Sequence, residues 1–221
     1  VQQETVARSR ALYAASEVTY LTGRYQEAFT LAQSSVRIAR ACGDRYELSE
    51  ALYRVGITGI AVEHWDESRE YLLEGLALAR ETGNQGMVGS LSGGLGELHS
   101  QLDQLALAEP YYPESLSCSR GDSHSTVVML GNLARNAIAL GAESKATQYL
   151  REVVTTAAGE YSVQTAQAFL RNCAELAALR GEWNFALRLS GAAVSHREQH
   201  GLLGDFVDAR FHLRGMDPAH E

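Results

Sequence analysis

The sequence predicts an all-α fold, a solenoid of about five helix-turn-helix repeats closed by a C-terminal capping helix. Three observations predict it. A short stretch recurs whose last residue, Ala28, Ser68, Ala108, Ala146 and Ala186, is spaced 40, 40, 38 and 40 residues apart, and a fixed period in this range marks a solenoid. Small residues recur at two further places in each period. Apolar residues recur at helical spacing around them, as Leu72, Leu76 and Ala79 do.

Each element follows from this register. The recurring stretch, Gly23 to Ala28 in the first copy and Gly181 to Ala186 in the last, is the turn between two helices. Twelve residues before its last residue stand Ser16, Gly56, Gly96, Ala134 and Ala174, and seven after it stand Ser35, Gly75, Ser115, Val153 and Ala193. Fourteen of these fifteen positions are Gly, Ala or Ser, which lets one helix press closely on the next. Sixteen before the register residue a Leu recurs, as Leu12, Leu52, Leu130 and Leu170, with Ser92 in its place once. The repeats therefore run approximately over 5–43, 44–83, 84–121, 122–160 and 161–201, in one domain spanning 1–214. Turns between repeats carry Gly43 and Gly83, where a helix end takes a left-handed residue. A cap over 202–214, with Phe206, Val207, Phe211 and Leu213, is expected to cover the open last repeat. The tail 215–221 is expected to fray.

The third repeat looks weak. Gly86, Gly89, Gly93, Gly94 and Gly96 fall within one helix, and each internal glycine costs about 0.5–1 kcal/mol against Ala. The small-residue site explains Gly96 but not the others. Pro110 fits a first helical turn, whereas Pro113 should bend or shorten its helix. The simpler reading is a degenerate repeat held by its neighbours; the alternative is a compliant hinge, or a close approach of ligand to backbone.

Composition narrows the function classes. The 221 residues carry a formal charge of −8, which argues against direct nucleic-acid contact, since that needs a basic surface. No apolar run of about 18 residues would span a membrane, and no basic-then-apolar leader is visible. Cys42, Cys118 and Cys173 are odd in number and far apart, which suits a reducing cytoplasm and forms no zinc motif. The single lysine, Lys145, follows no glycine-rich loop, so a phosphate-cradling loop is absent. The chain begins at Val1, which reads as an excised piece of something longer.

The register resembles the tetratricopeptide repeat (TPR), through its three small positions, its Leu and the turn aromatics Tyr25, Trp65 and Trp183. The unit is longer than that family's usual 34 residues or so. Together with the run from Ala177 to Trp183, then Ala186 to Ala193 and Arg197 to Gly201, it resembles the long-unit repeats near the C-terminal end of bacterial signal-transducing ATPases and LuxR-type (MalT-like) transcriptional regulators. The resemblance implies a right-handed superhelix whose first helices line a concave face. On that face it places Tyr13, Tyr20, Tyr53, Arg54, Asn132, Arg135, Arg171 and Asn172 as candidate ligand- or peptide-binding residues. Asn132 and Asn172 share one repeat position, held by Arg54 in the second repeat. In several relatives a ladder of Asn there holds the backbone of an extended peptide, and an amide suits this because it both donates and accepts. Arginines can fork onto a carboxylate or phosphate, and tyrosines give flat apolar area with a polar tip. Local pairing of these arginines with Glu97, Glu175 and their neighbours is the competing reading.

Other motifs are weaker. His196 and His200 sit at i, i+4, but in the wrong order for a zinc protease and with no third ligand, so no metal is expected. Gly93-Gly94-Leu95-Gly96 precedes Glu97 inside a helix and is no phosphate loop. Ser117-Cys118-Ser119 has no positioned histidine near it, and Cys173 reads as core. Glu47 and Glu50 read as exposed carboxylates with no reason for shifted pKa values. No catalytic constellation emerges, and no cofactor is implied. The expected function is a non-catalytic cytoplasmic module that binds a protein or peptide partner, or a small effector. It would serve as the sensing or partner-binding domain of a larger bacterial regulator or signalling ATPase. A stand-alone scaffold or adaptor that self-associates, for example as a homodimer, and binds no small ligand is the alternative.

Overall fold

The computed structural model describes residues 4–119, 122–157 and 162–200, so the expected cap over 202–214 and the tail 215–221 lie outside the described residues. Among the described residues every regular element is a helix. The chain divides into two compact units, Val1–Cys118 and Ser119–Glu221. Unit 1 contains α1 (Val6–Leu21), α2 (Tyr25–Cys42), α3 (Arg45–Ala61), α4 (Trp65–Glu81), α5 (Gln85–Gln101), α6 (Leu105–Ala108) and α7 (Tyr111–Cys118). Unit 2 contains α8 (Ser123–Ala139), α9 (Glu143–Ala157), α10 (Val163–Leu179) and α11 (Trp183–Gln199). Successive helices pack on one another within each unit, and first helices also touch the next first helix: α1 with α3, α3 with α5, and α8 with α10. No described helix is long and apolar enough to cross a membrane.

Local chemistry explains where the helices begin and end. The first helix of each repeat starts at a side-chain cap: Thr5, Asp44, Asn84, Asp122 and Ser162 each accept a backbone N–H from the first turn. The second helices α2, α4, α6 and α11 have no such cap. They begin two residues after a left-handed residue that stands at the same register in all five turns: Gly23, Glu63, Asp103, Gly141 and Gly181, with φ of 76°, 62°, 61°, 68° and 74°. The residue after it returns its N–H to a carbonyl five residues back, for example His64 to Gly59 and Ala142 to Ala137 at 2.9 and 2.8 Å. This closure is the Schellman pattern, which satisfies carbonyls left free at the helix end. Glu63 and Asp103 adopt without glycine a conformation that glycine takes freely.

All fifteen register positions are buried. A Cβ at Gly56 would meet the Leu72 side chain at 2.6 Å, and one at Gly75 would meet Leu91 at 2.8 Å. Some serines at these sites are satisfied, whereas the buried Ser68 hydroxyl has no hydrogen-bond partner. Ser9 and Ser35 each donate to the other's carbonyl, and Ser16 donates to the carbonyl of Ala28. Phe29, Ala32, Val36, Ala51, Leu52 and Val55 form a core of unit 1, and Ala134, Ala137, Ala146, Leu150 and Leu176 one of unit 2.

The third repeat is tightly built. Its glycines are not gaps: a Cβ at Gly89 would strike Cys118 at 2.7 Å, one at Gly94 Leu72 at 3.0 Å, and one at Gly96 the Tyr112 ring at 2.6 Å. Tyr112 fills the space Gly96 leaves, fully buried, with its hydroxyl 2.8 Å from Ser100 Oγ. Ser92, in place of the recurring Leu, donates to Glu114 at 2.7 Å. The second helix of this repeat is broken at Glu109–Pro110 into α6 and α7. Pro113 is the cause, because in a continuous helix its ring would collide with the carbonyl of Glu109 and it has no N–H to give. Pro110 lies just ahead of α7, and Pro113 occupies the first turn of that shortened helix.

Candidate functional site

The first helices of unit 1 bring four of the sequence-derived candidates to one end of the chain. On α1 and α3, Tyr13, Tyr53 and Arg54 meet. The Arg54 guanidinium lies 4.7 Å from the centre of the Tyr13 ring and 5.9 Å from that of Tyr53. Its Nη2 donates to Tyr13 Oη at 3.2 Å and pairs with Glu17 Oε1 at 2.9 Å. Its Nε is buried with no hydrogen-bond partner. Burial disfavours the charge on Arg54, but Tyr13 and Glu17 outweigh that and raise its pKa. Burial likewise pushes the Tyr53 phenol up. Tyr20, two turns further along α1 than Tyr13, packs edge-on against Tyr25 instead, with ring centres 5.2 Å apart. It therefore lies apart from the Arg54 cluster.

Two turns before Arg54, Glu47 takes two donors of Arg10, Nε at 2.7 Å and Nη2 at 2.6 Å. Glu47 is 3% exposed. The expectation that Glu47 and Glu50 are ordinary exposed carboxylates is therefore corrected: the neighbouring helix α1 covers that face. Burial, and then the charge of Glu47, raise the pKa of half-buried Glu50, although its contact with Tyr46 works the other way. Arg54 has a local acid partner, as the competing expectation describes in kind, but that partner is Glu17.

In unit 2 the first helices gather Arg135, Arg171, Asn172 and Asn136, all buried, with Asn132 half-buried. Asn172 is only 2% exposed and donates its Nδ2 to the carbonyl of Gly131 at 2.9 Å, while its Oδ1 is buried without a partner. It does not stand as an open surface amide beside Asn132. Its donor joins two repeats, which periodicity alone could not reveal.

The weaker motifs resolve as follows. His196 and His200 have ring centres 4.6 Å apart, and among the described residues no group of three or more His, Cys, Asp or Glu could hold a metal. Cys173 packs at the edge of the unit 2 core, and burial pushes its thiol up to about 11, far from a reactive thiolate. Apolar Trp183, Phe185 and Leu187 on α11 are exposed, a feature the sequence reading did not single out.

No family model matches the chain, and no curated protein matches it. Solved structures do. BtubC (BKLC) from P. vanneervenii aligns at TM-score 0.70 and 16% identity over 90% of this chain and 84% of its own. A kinesin-light-chain protein from Podosopora anserina with nearly identical TPR-like repeats aligns at TM-score 0.66 and 17% identity, over 90% of this chain and 99% of its own. A Rap protein complexed with Competence and Sporulation Factor aligns at TM-score 0.72 and 13% identity, over 91% and 66%. At such identities the likeness speaks for fold, and the fold of this chain is that of the TPR-like repeat proteins.

Proposed function

We propose that the chain is a non-catalytic, cytoplasmic module that captures a protein or peptide segment on the face formed by its first helices. It would serve a larger bacterial transcriptional regulator or signalling ATPase as its sensing or partner-binding domain. One observation carries the reading: Tyr13, Tyr53 and Arg54 converge on one face of unit 1, where the buried guanidinium lies against both rings. Aromatic and arginine side chains together are what binding surfaces concentrate. The likeness to a Rap protein solved with Competence and Sporulation Factor supports the same use of the fold. In unit 2, taken by itself, Asn132, Arg135, Arg171 and Asn172 remain proposed binding residues on its own first helices. The test is a peptide-display selection on the intact chain, repeated with Tyr13→Ala and Tyr53→Ala. Selected peptides should bind the parent and lose at least tenfold on either variant, while helical circular dichroism stays unchanged. Peptides that bind all three alike would remove this face from the reading.

A second reading has its own observation. The exposed Trp183, Phe185 and Leu187 on α11 suit a scaffold that self-associates and takes no small ligand. Sedimentation of the parent beside a Trp183→Ser, Leu187→Ser double variant decides it. A dimer that the double variant dissolves supports self-association, and a monomeric parent dismisses it.

A further inference from the structure

We propose that copies of this chain associate end to end, the open side of α11 in one copy packing on the open side of α1 in the next. The inference rests on the self-association reading above and adds its second surface and the kind of contact. It starts from α1. Ala7, Ala11, Ala14, Ala15, Val18 and Leu21 share one side of that helix. All six are exposed, Val18 at 60% and Leu21 at 68%. Forty positions on, α3 carries Glu47, Ala51, Arg54, Val55 and Thr58, all buried, and Ala61, half-buried. The preceding repeat covers that side of α3. Arg10 pairs with Glu47, Tyr13 and Glu17 meet Arg54, and α2 packs its apolar residues with Ala51 and Val55. On α1 no described residue plays that part, yet the side is wholly apolar.

The last described helix shows the complementary row. In α2, Phe29, Ala32, Val36 and Ala39 are at most 3% exposed because they pack with α3. Their counterparts on α11 are Leu187, Ser190, Val194 and Arg197. Leu187 is 59% exposed, and Trp183, one turn before it, 54%. One end thus offers the row that this repeat places under a following first helix, and the other offers a first helix without such a row beneath it. Solenoid ends that stay in water carry polar outer faces, and neither of these does so throughout. Size agrees as well. Four alanines on α1 leave room for the large Trp183 and Leu187, as Gly59 leaves room for Phe29, whose ring a Cβ there would meet at 3.1 Å. The two surfaces are unlike, so the contact is heterologous: each copy spends one face and keeps the other for a further copy.

The test uses sedimentation velocity over a concentration series. It compares the intact chain with an Ala11→Glu, Val18→Glu variant of α1 and a Trp183→Ser, Leu187→Ser variant of α11. All four positions are exposed, so helical circular dichroism should stay unchanged. The parent should associate, and each variant alone should be monomeric, because one of its two faces is spoiled. An equimolar mixture of the two variants should form a dimer and nothing larger, since only one sound pair of faces remains. That rescue also shows that both variants are folded. Association retained by the α1 variant but lost by the α11 variant would overturn end-to-end packing and leave a symmetric contact through α11 standing. Variants whose mixture stays monomeric, with circular dichroism intact, would overturn it too. A parent that is monomeric throughout overturns both this inference and self-association.

Discussion

Asn172 reaches the carbonyl of Gly131 at 2.9 Å across the same pair of repeat positions that joins Arg54 to Tyr13. In each case the later first helix sends a side chain back to the preceding one. Where the repeat carries Asn the contact is a neutral amide-to-backbone bond, and where it carries Arg the contact is a charged stack. One position in the repeat thus serves as a fastener between first helices before it serves any ligand.

Asn172→Ala should therefore destabilise unit 2 by about 1 kcal/mol, the net worth of a buried hydrogen bond. Asn132→Ala, at a half-buried position, should cost less. Urea midpoints of the two variants check the order; equal midpoints would mean that the Gly131 contact contributes nothing.

How much of this was legible beforehand depends on distance along the chain. The small positions, the turns and the helix pairs follow from residues within one repeat, and single-repeat periodicity reveals them. The Arg54–Tyr13 and Arg10–Glu47 contacts join residues 41 and 37 apart, and a pattern read helix by helix cannot see them. Glu47 was misread for that reason: its own helix gives it a solvent-facing position, and α1 takes it away. The close packing of the third repeat is out of reach of the sequence for a similar reason. Gly89 and Gly96 are excess cost within α5 and become intelligible only against Cys118 and Tyr112, which approach from α7, and Gly94 against Leu72 of α4.

Glycines in that repeat should consequently differ in their tolerance. Gly96→Ala puts a methyl group against the Tyr112 ring and should cost about 1–3 kcal/mol, as overpacking does. Gly86→Ala, near the exposed start of α5 with only Asn84 Oδ1 at 3.7 Å, should gain about 0.5–1 kcal/mol from helix propensity. Thermal unfolding of the two variants on either side of the parent is the expected result.

The turns offer two further stabilising changes. Glu63 and Asp103 sit at φ of 62° and 61°, a conformation costing an L-residue about 1–2 kcal/mol. Glycine removes that cost but loses about 0.5–1 kcal/mol to chain entropy. Glu63→Gly and Asp103→Gly should each raise stability by about 0.5–1 kcal/mol, additively, because they lie in different turns. Denaturant midpoints of the single and double variants measure this.

Glu114 makes stability depend on acid. Burial pushes its pKa up, but hydrogen bonds from Arg80 and Ser92 and the Arg80 charge prevail, so the carboxyl sits below its ordinary value. A folded pKa below the unfolded one means the contribution is complete above about 4.3, the unfolded value. It is lost as pH falls through the folded value. Glu114→Gln should lower the unfolding midpoint at pH 7 and approach the parent near pH 3. Curves that stay parallel across that range would contradict the assignment.

The two ion pairs between α1 and α3 also act as an alignment check. Arg10 and Glu17 lie seven residues apart on one helix, Glu47 and Arg54 seven apart on the other, with the order of charges reversed. Sliding α3 by two turns in one direction would set Arg54 against Arg10; sliding it in the other would set Glu47 against Glu17. Helix pairs of similar length and composition can slip past one another with little loss of apolar contact. In this chain, slippage in either direction would bring like charges together, so that only one stagger of the two repeats satisfies both pairs.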